Sequence, residues 1–452
     1  MSDATALAGH IAAGRITARS AMASSHDAAE AQSGLGSVAR LLPREVALGM
    51  AAAPGPFCGV PMLGKDLGAA TQGLVACAGS PALRSRLSDP DEDSPFFARL
   101  RAAGALPFGL STVPEFGFAL SAEPPEVLPA RNPFDPTRTP GGSSGGAAAA
   151  VAGGIVALAH ATDAAGSIRV PAACCGLWGL KPSRGALPQG PGFFNNLMGV
   201  AGDGVLARSL RDVATAYELT ASEARGVSAD AAELPLPRRP RIALALAQRC
   251  STADQDAARA TAELFAATGC EVMEINAPDA LGAKCHALAG RILSLSQAEW
   301  LDTLGVPDAE VSPLIAACRA RGVAITGTQA FAMTREVAQL SHFGWALFDR
   351  CDAILMPILS GPPPEIGHFD FTATDVDAHL AAMEAMAPNA AIANVCGLPA
   401  LAIPAGMADG LPVGVQLMGP MGSDAALQRL AARIVDALPP IPYPAPIAGM
   451  PQ

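Results

Sequence analysis

The sequence predicts an α/β protein with a large buried core. Half of its 452 residues are hydrophobic and only 16% are charged, with no charge block and no long low-complexity tail, so a sizeable interior can form. Short apolar runs recur along the chain, and each reads as a buried strand: Ile155–Ala159, RIALALA from Arg241, EVMEI (271–275), AILMPIL (353–359), PALAIPAG (399–406) and LPVGVQLMG (411–419). Segments with helical spacing lie between them. Strands alternating with helices are the mark of this fold class.

Taken in order, residues 4–32 are Ala-rich, with Leu7, Ile11 and Ile16 spaced for helices that pack as an arm on the body. Met50 to Pro56 is a loop, and Val60–Leu63 is an apolar approach to Lys65. Phe96 to Leu106 reads as a helix because Phe97, Leu100 and Ala103 share a face. LPFGLST then reads as a strand entering VPEFG (113–117). Residues 121–140 are Pro-rich and aperiodic, which makes a long ordered loop. GGAAAAVAGG is a brief helix opened by glycines. DAAGS is a tight loop, and Pro171 suits a first helical position. Ser209 caps a helix running to about Ser222. LPLPRRP (234–240) is a Pro-rich connector, Asp254–Thr268 an amphipathic helix, 281–350 mainly helical, and Asp424–Leu438 a closing amphipathic helix.

Several function classes are excluded early. The formal net charge of −11 argues against direct nucleic-acid binding through the phosphate backbone. The N-terminus lacks a basic flank followed by an apolar core, and no apolar run reaches 18 residues, so neither a signal peptide nor a membrane span is expected. The ten cysteines are scattered singles except Cys174–Cys175, and read as buried thiols of a cytoplasmic protein. Seven histidines form no metal-like constellation, and His160 reads as a satisfied core residue.

Chemistry concentrates between Thr139 and Pro182. Two serine clusters there, Ser143–Ser144 and Ser167, lie beside helix N-termini, where unpaired backbone N–H groups collect and an anion or a developing oxyanion can be held. GGSSGG (141–146), TDAAGSIRVPAACCG (162–176), GLKPSRG (179–185) and, upstream, GVPMLGKDL (59–67) occur in one order. RNPFDP (131–136), LARSLRD (206–212) and CGLPALAIPAGMADGLPVGVQLMGP (396–420) continue the pattern. The chain thereby resembles the amidase signature family of Ser-Ser-Lys amidohydrolases.

The resemblance implies one α/β/α domain over 1–452, a mixed sheet surrounded by helices. The signature core covers about 55–215, a less matched helical region about 215–345, and the C-terminal part of the same domain 346–440. It implies Ser167 as nucleophile, Ser143 as a bridging serine on a cis peptide, and Lys65 as base. The N–H groups of Ala164, Ala165, Gly166 and Ser167 would form the oxyanion hole. Ser144 would orient the lysine, and Asp163 and Arg169 would support the loop. No cofactor or metal is implied, the partner is a small-molecule amide, and a homodimer is left open. For Lys65 to accept a proton, burial must lower its pKa, and the only obvious carboxylate nearby in sequence is Asp66.

Two departures from the family pattern stand out. Ala165 occupies a position commonly glycine; a negative φ is expected there, with Gly166 absorbing the turn. LSTV precedes PEFG where KTNM is more usual, which changes a neighbouring wall.

Competing readings of the same residues are weaker. GVPMLGKD imitates a phosphate-binding loop, but Asp66 replaces the magnesium-binding hydroxyl and Pro61 removes a donor. GGSSG fits the nucleophile elbow of α/β-hydrolases, with Asp352 or Asp370 and His379 as partners, yet RNPFDPTRTP before it is no strand. An inactive scaffold would lack one of Lys65, Ser143 and Ser167, and all are present. The expectation is an amidase cleaving a small carboxamide, the alternative within the fold being the glutamine-hydrolysing subunit of a tRNA-dependent amidotransferase.

Overall fold

Runs of apolar residues without polar alternation belong in a sheet covered on both faces, and they are found in one. The computed structural model describes residues 2–187, 197–221, 237–247 and 249–451. Its strands are β1 (Val38–Leu41), β2 (Pro61–Lys65), β3 (Leu106–Ser111), β4 (Leu158–Asp163), β5 (Trp178–Lys181), β6 (Gly202–Ala207), β7 (Arg241–Leu246), β8 (Glu271–Asn276), β9 (Ala353–Pro357), β10 (Ala400–Ala408) and β11 (Leu411–Met418). Among the described residues these eleven form one mixed sheet, ordered β1-β3-β2-β4-β6-β5-β10-β11-β9-β7-β8. β3, β2 and β4 are parallel neighbours, as are β9, β7 and β8; the strands between them meet antiparallel.

Period-two alternation divides the core. Leu401 and Ile403 of β10 join the apolar cluster under the helices Leu210–Ala221, Thr252–Ala267 and Asp424–Ala432. Ala400 and Ala402 face the other way, into the clusters that hold the helices Arg169–Cys175 and Asp279–Thr303. This is the expected single α/β domain. No helix among the described residues is long and apolar enough to cross a membrane.

Several boundaries differ from the sequence reading, each for a local reason. The strand expected at Ile155–Ala159 begins at Leu158 and runs to Asp163. Ile155 is still closing the preceding helix, its N–H bonded to Ala150 O, after Gly154 turns at φ +76°. The next helix starts at Arg169, two residues before Pro171; proline is tolerated there because the first turn lacks intrahelical acceptors anyway. The helix expected over Phe96–Leu106 ends at Ala102, since Gly104 takes φ +96° and Leu106 opens β3. The closing helix stops at Ala432 and gives way to a short 3-10 turn. Ser222 and the first three residues of the 234–240 connector lie outside the described residues.

The sheet positions the site through its parallel edge. Lys65 and Asp163 end the neighbouring parallel strands β2 and β4, and Ser111 ends β3 in register with Lys65. The loops that follow therefore leave from one edge, where parallel sheets present their ligand sites.

Candidate active site

Lys65 is fully buried at the end of β2. Its Nζ donates to Ser143 Oγ at 2.8 Å and to Thr162 Oγ1 at 2.7 Å. Among the described residues it forms no ion pair. Burial lowers its pKa to about 7, against the opposing charges of Asp163 and Asp203. Its backbone N–H donates to His160 Nδ1 at 3.3 Å, so that nitrogen is an acceptor and the ring proton sits on Nε2, which meets Asp203 Oδ1 at 2.9 Å. His160 is the satisfied core residue expected. Asp66 turns away: its carboxyl takes the N–H groups of Cys77 and Gly79 at 2.7 and 2.9 Å, and burial raises it to about 6.

Ser143 follows a cis peptide from Gly142 and is 3% exposed. A Cβ on Gly142 would stand 1.9 Å from Ser121 O, so only glycine lets the chain pass here. Ser144 does not reach the lysine, contrary to expectation. Its hydroxyl donates to Thr162 O at 3.2 Å and accepts from Thr162 N at 3.3 Å. Thr162 thus orients Lys65, and Ser144 holds Thr162 in place.

The loop after β4 carries Ser167, whose hydroxyl has no hydrogen-bond partner among the described residues. Gly166 takes φ +122°, where a Cβ would sit 3.0 Å from Ala390 and 3.1 Å from Val170. Ala165 is not among the residues with positive φ, as anticipated. The four-donor expectation needs one correction. Gly166 N–H is already given to Asp163 Oδ1 at 2.7 Å, and Ile168 N–H to Oδ2 at 3.2 Å. The N–H groups of Ala164, Ala165 and Ser167 have no partner among the described residues and remain as donors.

A buried polar network braces this loop. Arg169, wholly buried, grips Asp163 through Nε and Nη2 at 2.9 and 3.1 Å. It also donates to Gln416 Oε1 at 2.8 Å and Asn394 Oδ1 at 2.7 Å. Asn394 Nδ2 returns to Asp163 O and Oδ1, both at 2.9 Å. Burial alone would raise Asp163, but the Arg169 charge and these bonds hold it at about 2. Asn394, Gln416 and Thr162 were not singled out from sequence. A lone amide inside an apolar buried stretch, as in AIANVCG and LPVGVQLMG, is the signal that could have found the first two, since buried polar groups require partners.

The elbow reading finds no support. Ser143 follows irregular chain, and His379 Nε2 donates instead to Phe118 O at 2.6 Å. Asp352 pairs with Arg241, and Asp370 accepts from Thr372. All ten cysteines are free; burial raises the thiol pKa of Cys174 and Cys175, which packs them as inert core groups.

Known proteins resemble this chain over nearly its whole length. A family model described as Amidase matches residues 28–427. The 6-aminohexanoate-cyclic-dimer hydrolase of Paenarthrobacter ureafaciens is 32% identical over 435 residues, covering 86% of this chain and 84% of that protein. A glutamyl-tRNA(Gln) amidotransferase subunit of Thermus thermophilus is 32% identical over 447 residues, covering 90% of this chain and 91% of that one. A solved structure of 6-aminohexanoate cyclic dimer hydrolase superposes with a TM-score of 0.87 at 29% identity, over 96% of both chains. A bacterial aryl acylamidase superposes at 0.82 and 24% identity, over 100% of this chain and 99% of that one, a likeness of fold alone.

Proposed function

The chain belongs to the amidase signature family and is a hydrolase of amide C–N bonds, and on that footing we propose that it cleaves a small carboxamide through an acyl-enzyme on Ser167. Ser143 is the relay and Lys65 the base. An amide is a poor electrophile with a poor leaving group, so an activated nucleophile, a proton for the amine and a stabilised oxyanion are all needed.

The observation that carries this reading is the setting of Lys65: buried, bonded at Nζ to Ser143 and Thr162, and without an ion pair among the described residues, so that burial lowers its pKa to about 7. A neutral amine has two N–H donors and one lone pair. Thr162 Oγ1 takes one donor; once neutral, the amine turns its lone pair to Ser143 Oγ, 2.8 Å away, and receives that hydroxyl proton. Ser143 in turn takes the proton of Ser167 as its Oγ bonds to the carbonyl carbon. Oxyanion charge falls to the N–H groups of Ala164, Ala165 and Ser167. The proton then returns through Ser143 to the leaving nitrogen, the C–N bond breaks, and amine or ammonia departs. Water enters by the same relay to release the acid.

A serine-directed fluorophosphonate tests the assignment. It should label Ser167, and Ser167→Ala should lose both label and turnover. Label at Ser143 or Ser144 with full activity in Ser167→Ala would sink it. The Thermus relative favours a second reading, a glutamine-hydrolysing component of an amidotransferase. Profiling the purified chain alone on glutamine, aliphatic amides, anilides and linear or cyclic amide oligomers separates the two, because the amidotransferase role demands glutamine and partner chains.

A further inference from the structure

Behind the base stands a pair of side chains that the proposed mechanism does not use. His160 and Thr162 are two residues apart on β4, hence on one face, and Asp203 of β6 lies directly across from Thr162. Gly68, just after Lys65, shows how closely the three meet. A Cβ there would stand 2.6 Å from Thr162 Cγ2, 3.4 Å from His160 Cε1 and 3.5 Å from Asp203 Oδ1. Thr162 bonds the amine of Lys65, and His160 its backbone N–H. The imidazole, with its centroid 5.0 Å from the rings of both Phe96 and Phe97, donates Nε2–H to Asp203 at 2.9 Å.

Core packing accounts for the histidine, but not for the carboxylate. Asp203 is 4% exposed, and its one side-chain hydrogen bond among the described residues is to a neutral imidazole. A buried carboxylate ordinarily meets a cation or several donors. Asp163 does so through Arg169, and Asp66 through the N–H groups of Cys77 and Gly79. Asp203 keeps a negative charge that no cation touches among the described residues.

Lys65 is the group this charge serves. On taking the Ser143 proton it becomes a buried ammonium without an ion pair among the described residues, which a low-dielectric interior opposes. Two carboxylates act on it through space, those of Asp163 and Asp203. The guanidinium that grips Asp163 largely cancels the first. The second is uncancelled. The other titratable groups around the pair are already engaged or neutral: Lys181 of β5 bonds Pro182 O and acts on Asp163 and Asp424. Tyr217, which lines a small void with Asp203 from the helix Leu210–Ala221, is pushed up by burial. We propose that Asp203, held by His160, is a positioning residue of the active site, the counter-charge at one remove against which the Lys65 ammonium forms during turnover. The inference rests on Lys65 as the base.

The test follows one proton through two readouts on the full chain. Asp203→Asn keeps an acceptor for His160 and removes the charge. The ammonium then loses its support, so the acid limb of kcat/KM should move from about 7 to lower pH by about one unit. Asp203→Ser, smaller and still an acceptor, reads the same shift if the amide does not fold. His160→Leu leaves the carboxylate without its donor, which favours the protonated form, and should move the limb the same way. His160→Gln returns an N–H to Asp203 and should restore it. A purely structural role would lower activity without moving the limb. Urea midpoints across pH, each compared with the same background carrying Lys65→Met, report the titration of Lys65 without turnover. Midpoints and limb that both stay at the wild-type pH in the Asp203 variants overturn the inference, and loss of activity in Lys65→Met then shows that the base assignment survives. Midpoints that shift while the limb stays support Asp203 as the counter-charge and count against Lys65 as the base.

Discussion

Lys65→Met should make the protein more stable at neutral pH while lowering activity by several orders of magnitude. The substitution exchanges a buried amine for an apolar chain of similar length. Burial brings this lysine from 10.5 down to about 7. At 1.36 kcal/mol per pH unit, that difference is about 5 kcal/mol. Proton counting sets the sign. Above about pH 10.5 the lysine is neutral in both folded and unfolded chains, and burial carries no charge penalty. Between that value and about 7 the unfolded chain holds a proton that the folded chain has shed, so native stability falls as pH falls. Below about 7 both are protonated and the whole penalty is present. Methionine has no such dependence. Against it, the hydroxyls of Ser143 and Thr162 lose a partner at 2.8 and 2.7 Å, at about 1.5 kcal/mol each. The variant should therefore lead by about 2 kcal/mol at neutral pH and below, and trail by about 3 kcal/mol above the ordinary lysine pKa. Urea midpoints of both proteins across this pH range, with activity measured on the same samples, are the assay. A stability difference that does not change with pH would refute the reasoning, since no depressed lysine would then be titrating in the fold.

Three further outcomes follow from the site. The acid limb of kcat/KM should rise through about pH 7 as Lys65 loses its proton and should persist in His379→Ala; its disappearance in that variant would rule against the lysine. Thr162→Val removes the hydroxyl 2.7 Å from Lys65 Nζ and should cost about tenfold in kcat, about 1.4 kcal/mol, whereas Thr162→Ser should retain activity; equal losses would mean that only the methyl packing matters. Ala165→Gly should lower stability by about 0.4–1 kcal/mol through a freer unfolded chain, because φ at Ala165 is not positive. It should also widen tolerance for bulky acyl groups, and a higher melting temperature with unchanged preference would contradict both parts.

How far the sequence could be read depended on how local each interaction is. Lys65, Ser143 and Ser167 lie in the Gly-rich motifs that carry the family resemblance, and the helix opened by Ser144 follows from its glycines, whereas the next helix begins at Arg169 and not at Pro171. β5 and β6, WGLK and GDGVLA, escaped because their glycines interrupt any apolar run. β4 was placed three residues early because Ile155–Ala157 are apolar for a different reason, as a buried passage beneath the helix end. The resemblance gives Ser144 to the lysine, yet its hydroxyl meets Thr162, and Thr162 on the adjacent strand bonds Lys65 Nζ instead. Asn394 and Gln416 meet Arg169 only through the completed sheet. No spacing rule links residues so far apart.

The brace on the loop that carries Ser167 has a consequence for the order in which the protein is made. Arg169 finds its partners 225 and 247 residues further along the chain, and β10 and β11 fill the centre of the sheet between β5 and β9. On the ribosome the loop bearing Ser167 is synthesised long before Asn394, on the helix Ala390–Val395, and Gln416, on β11, which brace it. Until those strands emerge, β5 and β9 offer open edges to any passing strand, and Arg169 lacks two of its three anchors. A chain truncated before β10 would keep those strand edges open, the setting in which strands pair wrongly. The C-terminal segment thus completes both the sheet and the brace on the Ser167 loop, and a truncation there removes the two together.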